Sequence, residues 1–229
     1  EDEGAQMADR NGALITGIPW RTVSDTGITY RNSIAAIPLR DGNNGSERVY
    51  HKQKLVPFGE YVPLQSLIRG LIPFFDLPMS GFTPGDPAQP NLQVLGHTVA
   101  PFICYEILYP QLVASRSHDA DVLVTISNDA WFGTSAGPLQ HFQMARLRAL
   151  ETGRWLLRGT NNGVTAVIDH QGRIVDALPQ FERDVLYSHY QPRTGITPFM
   201  ALGVWPWLVL SVLLLLPAIL ERKEKKTTI

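Results

Sequence analysis

The chain holds one cysteine, Cys104, and it closes an apolar run: Val99-Ala100-Pro101-Phe102-Ile103-Cys104-Tyr105-Glu106. A strand that breaks at a nucleophile presents a reactive atom at the rim of a buried sheet. A thiol attacks well only as the thiolate, so a cation or a base is needed beside it. The segment Tyr50-His51-Lys52-Gln53-Lys54-Leu55-Val56-Pro57-Phe58-Gly59-Glu60 offers both kinds of group. If it is extended, alternate residues share a face, which puts Lys52 and Lys54 on one side. A lysine there could stabilise an oxyanion next to Cys104. The competing structural readings are a packed thiol, since free cysteine is often buried, and solvated lysines. A second constellation is Gly133-Thr134-Ser135-Ala136-Gly137, followed by Asp169 and by His170 or His189, the order of a serine hydrolase. Its context is poor, because a serine elbow follows its strand at once and residues 128–132 intervene here.

The elements that must position these groups are legible in outline. Residues 13–18 and 33–39 read as apolar strands, with a polar, turn-rich stretch from 21 to 31 between them. Residues 94–103 read as a hairpin leading into Cys104. Residues 108–117 are predicted helical, and 121–126 form a buried strand ending in Ser127-Asn128-Asp129-Ala130-Trp131-Phe132. Phe142, Ala145 and Ala149 keep helical spacing within 138–152, and Pro138 suits a first turn. Residues 155–158, 164–168 and 173–177 read as strands separated by Asn161-Asn162-Gly163 and Asp169-His170-Gln171-Gly172. Strands alternate with helices only in part, so the class is α/β or α+β with a mixed sheet. Residues 64–87 combine Phe74, Phe75, Leu77 and Met79 with three prolines. They are too apolar for an ordinary solvated loop, and read either as a loop packed on the core or as a lid for an apolar substrate.

A chain of 229 residues has ample surface to bury a core. Its formal charge of −1 gives no electrostatic case for nucleic acid. His51, His97, His118, His141, His170 and His189 are scattered, none paired with cysteine or glutamate at a zinc-site spacing, so neither metal nor cofactor is expected. Residues 199–220 carry no Asp, Glu, Lys, Arg or His. As one helix they would span about 33 Å, enough to cross a bilayer core. Trp205 and Trp207 near one end suit the interface, and the basic excess of Glu221-Arg222-Lys223-Glu224-Lys225-Lys226 puts that end in the cytoplasm. The expected division is a catalytic domain over 1–193, a transmembrane helix over 194–220 and a tail over 221–229. The opening Glu1-Asp2-Glu3-Gly4 leads at once into what reads as a helix end, as expected of a fragment missing its N-terminal part.

Several of these motifs, in order, resemble the nitrilase superfamily. Lys52 followed by Leu55-Val56-Pro57-Phe58-Gly59-Glu60 is similar to its lysine motif, and Ile103-Cys104-Tyr105-Glu106 to its nucleophile motif. Asn128-Asp129-Ala130-Trp131-Phe132-Gly133, the run from Gln140 to Glu151 and Asn161-Asn162-Gly163 also match. With the apolar tail, the resemblance is to the membrane-bound branch that acylates lipoproteins. It implies a nitrilase-like αββα sandwich on the periplasmic face of the bacterial inner membrane, with a C-terminal transmembrane helix. It also implies a phospholipid acyl donor, an apolipoprotein acceptor and a Glu-Lys-Cys triad. Cys104 matches the nucleophile and Lys52 the lysine, with the Tyr105 N–H as an oxyanion donor. Glu60 matches a supporting glutamate, and Tyr105 and Glu106 match further required residues. Phe74, Phe75, Leu77, Met79 and Trp131 are candidates for contact with the acyl chain. The family's base glutamate lies on a strand before residues 14–18; Glu1 and Glu3 fall after that place. A nitrilase-type amidase and a membrane-anchored binding domain are the alternatives.

Overall fold

The computed structural model describes residues 12–25, 27–38, 49–61 and 81–227. Two sheets pack face to face. The first has the order β1-β2-β3, with β1 Ala13–Ser24, β2 Gly27–Pro38 and β3 Val49–His51, all antiparallel. The polar, turn-rich stretch read between two strands over 21–31 forms the far end of one long hairpin, paired in register down to Ser24 and Gly27. Thr22, Val23, Ile28 and Thr29 are β-branched and favour the extended backbone.

The second sheet has the order β4-β5-β6-β7-β8-β9. Its strands are β4 Leu92–Val94, β5 His97–Ile103, β6 Val122–Ser127, β7 Trp155–Thr160, β8 Ala166–Ile168 and β9 Ile174–Ala177. The central β5, β6 and β7 are parallel and the outer pairs antiparallel, which is the mixed sheet expected. Alternation on these strands builds two cores. Ala100, Phe102, Leu123 and Leu156 face helices α1 (Pro110–Ser117) and α2 (Gly137–Thr152), where Val113, Phe142, Ala145 and Ala149 meet them. Val99, Val122, Val124 and Trp155 face the other way and pack on Ile34, Ala36 and Tyr50 of the small sheet. Small Ala145 and Ala149 let α2 lie close to the sheet. Pro138 opens α2 and Gly153, at φ 62°, closes it in a left-handed conformation that suits glycine. The order is therefore helix, sheet, sheet; the second helical layer of an αββα sandwich is not seen among the described residues.

The C-terminal segment departs from the single span predicted over 194–220. Helix α3 (Pro198–Leu202) stops at Gly203, φ 58°, and α4 begins again at Trp205 and runs to Thr227. The uncharged part of α4, residues 205–220, is about 24 Å long, against roughly 30 Å for a bilayer core. Among the described residues no helix is long and apolar enough to cross a membrane.

Candidate active site

Parallel β5, β6 and β7 end at one edge, in register at Ile103, Ile126 and Gly159. The chain leaves each end carrying polar side chains: Cys104 after β5, Asn128 and Asp129 after β6, Asn161 after β7. Cys104 begins a 3-10 turn, Cys104–Leu108, and sits at φ 51°. A left-handed conformation costs a non-glycine residue about 1–2 kcal/mol, so the surroundings must hold it. It is partly buried and unpaired, as a nucleophile at a rim would be.

Glu106 does much of the holding. It is fully buried, and one oxygen of its side chain accepts from the Ile103 N–H at 2.8 Å, back across the start of the turn. The other oxygen accepts from Tyr50 Oη (2.9 Å), the Gln53 N–H (2.7 Å) and the Lys54 N–H (3.1 Å). One carboxylate thus joins the Cys104 elbow to the segment bearing Lys52. Burial pushes the Glu106 carboxyl up, opposed by the N–H groups of Ile103, Lys54 and Gln53 and by the Tyr50 hydroxyl. Tyr50 is itself pushed up, by burial and by the Glu106 charge.

Lys52 is only 2% exposed, and its Nζ donates to Glu60 Oε2 at 2.7 Å. The same carboxylate accepts from the Val56 N–H at 2.8 Å and from the Asn32 side-chain amide. Lys54 does not share the Lys52 face. β3 ends at His51, the chain bends so that Gln53 and Lys54 aim their N–H groups at Glu106, and Lys54 is exposed, its Nζ 5.9 Å above the Tyr109 ring. Tyr105 is partly exposed and meets Tyr109 edge-on. Its N–H is among the first of a 3-10 turn and has no acceptor within it. Trp131, on the 3-10 turn Asp129–Phe132, is 78% exposed at the same sheet edge. Phe74, Phe75, Leu77 and Met79 lie outside the described residues, as do Glu1 and Glu3. The flanking residues Tyr61 and Gly81 pair with each other, and Phe82 N–H donates to the Glu60 carbonyl.

Sequence reasoning quoted Asp129 and His141 within motifs but gave them no part, and did not single out Arg158. His141 Nε2 lies 3.1 Å from the Cys104 carbonyl and Nδ1 lies 3.1 Å from Asp129 Oδ1. Arg158 Nη2 donates to Asp129 Oδ2 at 2.7 Å, and Ser127 Oγ to Oδ1 at 2.5 Å. Burial alone would push the Asp129 carboxyl up. Hydrogen bonds from His141 and Ser127, with the charges of Arg158 and His141, outweigh it and hold the carboxyl below its ordinary value. A Cβ on Gly163 would stand 2.1 Å from Asp129 Oδ2, which explains a glycine in Asn161-Asn162-Gly163. The signal available was this glycine, together with a histidine on the helix that follows the next strand.

The serine-hydrolase constellation is not assembled. Ser135 Oγ accepts from the Gly137 N–H, and Asp169 accepts from the N–H groups of Gln171 and Arg173 within its own turn. Among the described residues, no three His, Cys, Asp or Glu side chains are placed to hold a metal ion.

The carbon-nitrogen hydrolase family matches residues 4–197. The chain belongs to the carbon-nitrogen hydrolase family. Within it, the chain is 53% identical over 225 residues to a Pseudomonas syringae pv. tomato protein named apolipoprotein N-acyltransferase, covering 98% of this chain and 43% of that one. It is 53% identical over 218 residues to a protein of the same name from Azotobacter vinelandii, covering 95% and 41%. The chain thus spans less than half the length of these relatives. Among solved structures, the Caenorhabditis elegans NitFhit protein is similar at a TM-score of 0.58 and 17% identity, over 78% of this chain and 42% of that one. Saccharomyces cerevisiae Nit3, of the nitrilase superfamily, gives 0.54 and 17%, over 75% and 57%. These two likenesses establish the fold, a nitrilase-like α/β sandwich.

Proposed function

We propose that this carbon-nitrogen hydrolase domain carries the nucleophile of a membrane-bound lipoprotein N-acyltransferase. The observation that carries the reading is the 53% identity, over nearly the whole chain, to a protein of that activity by name. The Cys104 thiolate attacks an acyl ester carbonyl of a phospholipid. The carbon–oxygen bond breaks, the lysophospholipid leaves with a proton, and the acyl chain stays on Sγ as a thioester. The α-amino group of the diacylglyceryl-cysteine that begins an apolipoprotein then attacks, the carbon–sulfur bond breaks, and the proton lost by the amine returns to the departing thiolate. Lys52 and the Tyr105 N–H stabilise the oxyanion in both steps. Glu60 orients the Lys52 ammonium, and Glu106 fixes the distance between lysine segment and elbow. The thiol's base is expected on a strand ahead of β1, outside the described residues. Phe74, Phe75, Leu77, Met79 and Trp131 contact the acyl chain, and exclusion of water protects the thioester.

Membrane attachment is part of the same proposal. On α4, residues from Trp205 to Leu216 are exposed on every side, and a helix apolar all round needs an apolar surrounding. Residues 1–193 would stand on the periplasmic face, 194–220 would anchor them, and the basic 221–229 would face the cytoplasm. The shortfall in length of α4 is of a size that local bilayer thinning accommodates.

The test is intact-protein mass spectrometry after incubation with vesicles of phosphatidylethanolamine. One acyl group on Cys104, released by hydroxylamine and absent from Cys104→Ala and Lys52→Ala, is expected. An adduct that survives Cys104→Ala overturns the reading, as does ammonia release from small amides with no phospholipid-derived adduct, which is the amidase outcome.

A further inference from the structure

The β1–β2 hairpin is longer than the sheet it packs on. Ile15, Ile34 and Ala36 belong to the core between the sheets. Gly17 reaches the end of β6, where a Cβ would stand 3.4 Å from Ile126 Cγ2. Ile126 is in register with Ile103, the residue before Cys104. From Gly17 the strand runs on to Ser24, about 23 Å at the usual rise per residue, past the edge that carries Cys104. Residues paired across antiparallel strands share a face, and the faces alternate along each strand. The face that holds Gly17 and Ile34 therefore continues through Pro19 and Asn32, Arg21 and Tyr30, then Val23 and Ile28. Asn32 donates to Glu60, the partner of Lys52, so this face borders the candidate site. Beyond Asn32 it is mostly apolar and open: Tyr30 is 47%, Ile28 51% and Val23 65% exposed, and Arg21 is the one charge. Phe82 pairs with Tyr30, and its N–H donates to the Glu60 carbonyl, which ties the overhang to the site a second time.

We propose that the inner face of this hairpin, through Tyr30, Ile28 and Val23, is the wall along which the acyl chain held at Cys104 lies, and that it sets which chain lengths the site accepts. The opposite face decides between this occupant and a bilayer. It carries Thr22, Thr29 and Arg31, with Arg31 donating to Thr22 at 3.4 Å and Trp20 tilted against His51 at 6.0 Å between ring centroids. A hairpin that entered a bilayer would be apolar on both faces. This one is apolar toward the site and largely polar away from it, so its occupant comes from the site. A chain leaving the Lys52–Glu60 pair passes Asn32, then meets Tyr30 and Ile28, about 13 Å of strand. The proposal rests on the reading that Cys104 carries an acyl chain.

The test is the ratio of Cys104 alkylation rates by N-octyl iodoacetamide and by iodoacetamide in the whole chain. Cys104 is the only cysteine, and the ratio reads the alkyl tail with no phospholipid present. The parent ratio is expected to exceed that of glutathione roughly tenfold, on the order of two buried methylene groups. Val23→Thr/Ile28→Thr keeps the β-branched shape and should bring the ratio most of the way back. Thr22→Val/Thr29→Val, on the opposite face, should leave it at the parent value. A parent ratio equal to that of glutathione overturns the proposal. So does an unchanged ratio in Val23→Thr/Ile28→Thr, the outcome expected of a bilayer contact, and so does a raised one, expected if residues 62–80 occupy the face. An equal fall in both double variants also overturns it, because the shape of the hairpin and not its inner face would then matter. Should Val23→Thr/Ile28→Thr not fold, Tyr30→Ser decides by the same ratio, and failure of both to fold makes the face a stability element and overturns the proposal. A tail-selective ratio in a chain that forms no phospholipid adduct supports the wall and sinks the acyltransferase reading alone.

Discussion

Two buried carboxylates flank Cys104, and they are held by opposite means. Glu106, on one side, is held by backbone N–H groups and a tyrosine hydroxyl, with no ion pair among the described residues. Asp129, on the other, is held by a guanidinium, an imidazole and a serine hydroxyl. Burial wins at Glu106, whose carboxyl is raised, and charge and hydrogen bonds win at Asp129, whose carboxyl is lowered. The difference teaches what each side does. Backbone donors fix distances between segments, so the Glu106 side sets geometry. Charged side chains set a local field as well, so the Asp129 side governs geometry and electrostatics together.

Removing the Asp129 side should have the largest effect. Asp129→Ala leaves Arg158 and His141 buried without their counter-charge and should cost about 3–5 kcal/mol in urea unfolding. A loss under about 1 kcal/mol would erase the distinction between the two sides. Glu106→Ala should cost less, about 1–3 kcal/mol, because it strands neutral donors and no charge. It should also slow Cys104 acylation, since the lysine segment and the elbow lose their common anchor.

The acid limb of stability sharpens the contrast in sign. Asp129 has a depressed carboxyl, so its contribution is present above the ordinary carboxylate value and is lost as pH falls below it. Glu106 has a raised carboxyl, so its contribution is greatest at low pH and declines as pH rises through the folded value. Chemical denaturation between pH 3 and 7 should show Asp129→Asn flattening the loss at the acid end and Glu106→Gln flattening the decline above it. The smallest effect expected is that of Tyr50→Phe, about 1 kcal/mol, because three N–H donors still hold Glu106. A loss as large as that of Glu106→Ala would mean that the tyrosine, and not the backbone, fixes the carboxylate.

How much of this was legible depends on the range of the interaction. The apolar run into Cys104 and the helix between Pro138 and Gly153 are local patterns, and the structure repeats them closely. Lys52 is buried against Glu60, and pairing it by face with Lys54 failed. The alternation rule needs an extended backbone, and Glu106 bends that backbone away. The uncharged run over 199–220 was read as one helix, because hydropathy counts residues and Gly203 breaks the chain without changing the count. The Asp129–His141–Arg158 cluster was missed because no local period joins a turn aspartate, a helix histidine and a strand arginine.

The sequence by itself determined which groups leave the strand ends: a cysteine at one and an asparagine-aspartate pair at the next. Those follow from strand period, turn residues and motif order, which act over a few residues. Only the tertiary structure decided which carboxylate does what. Glu106 reaches the Lys54 N–H across 52 residues, His141 reaches the Cys104 carbonyl across 37, and Arg158 reaches Asp129 across 29. Such contacts form where packing brings elements together and burial forbids leaving a polar group unpaired. That constraint acts on the folded core, and for that reason it leaves no mark on any short stretch of chain.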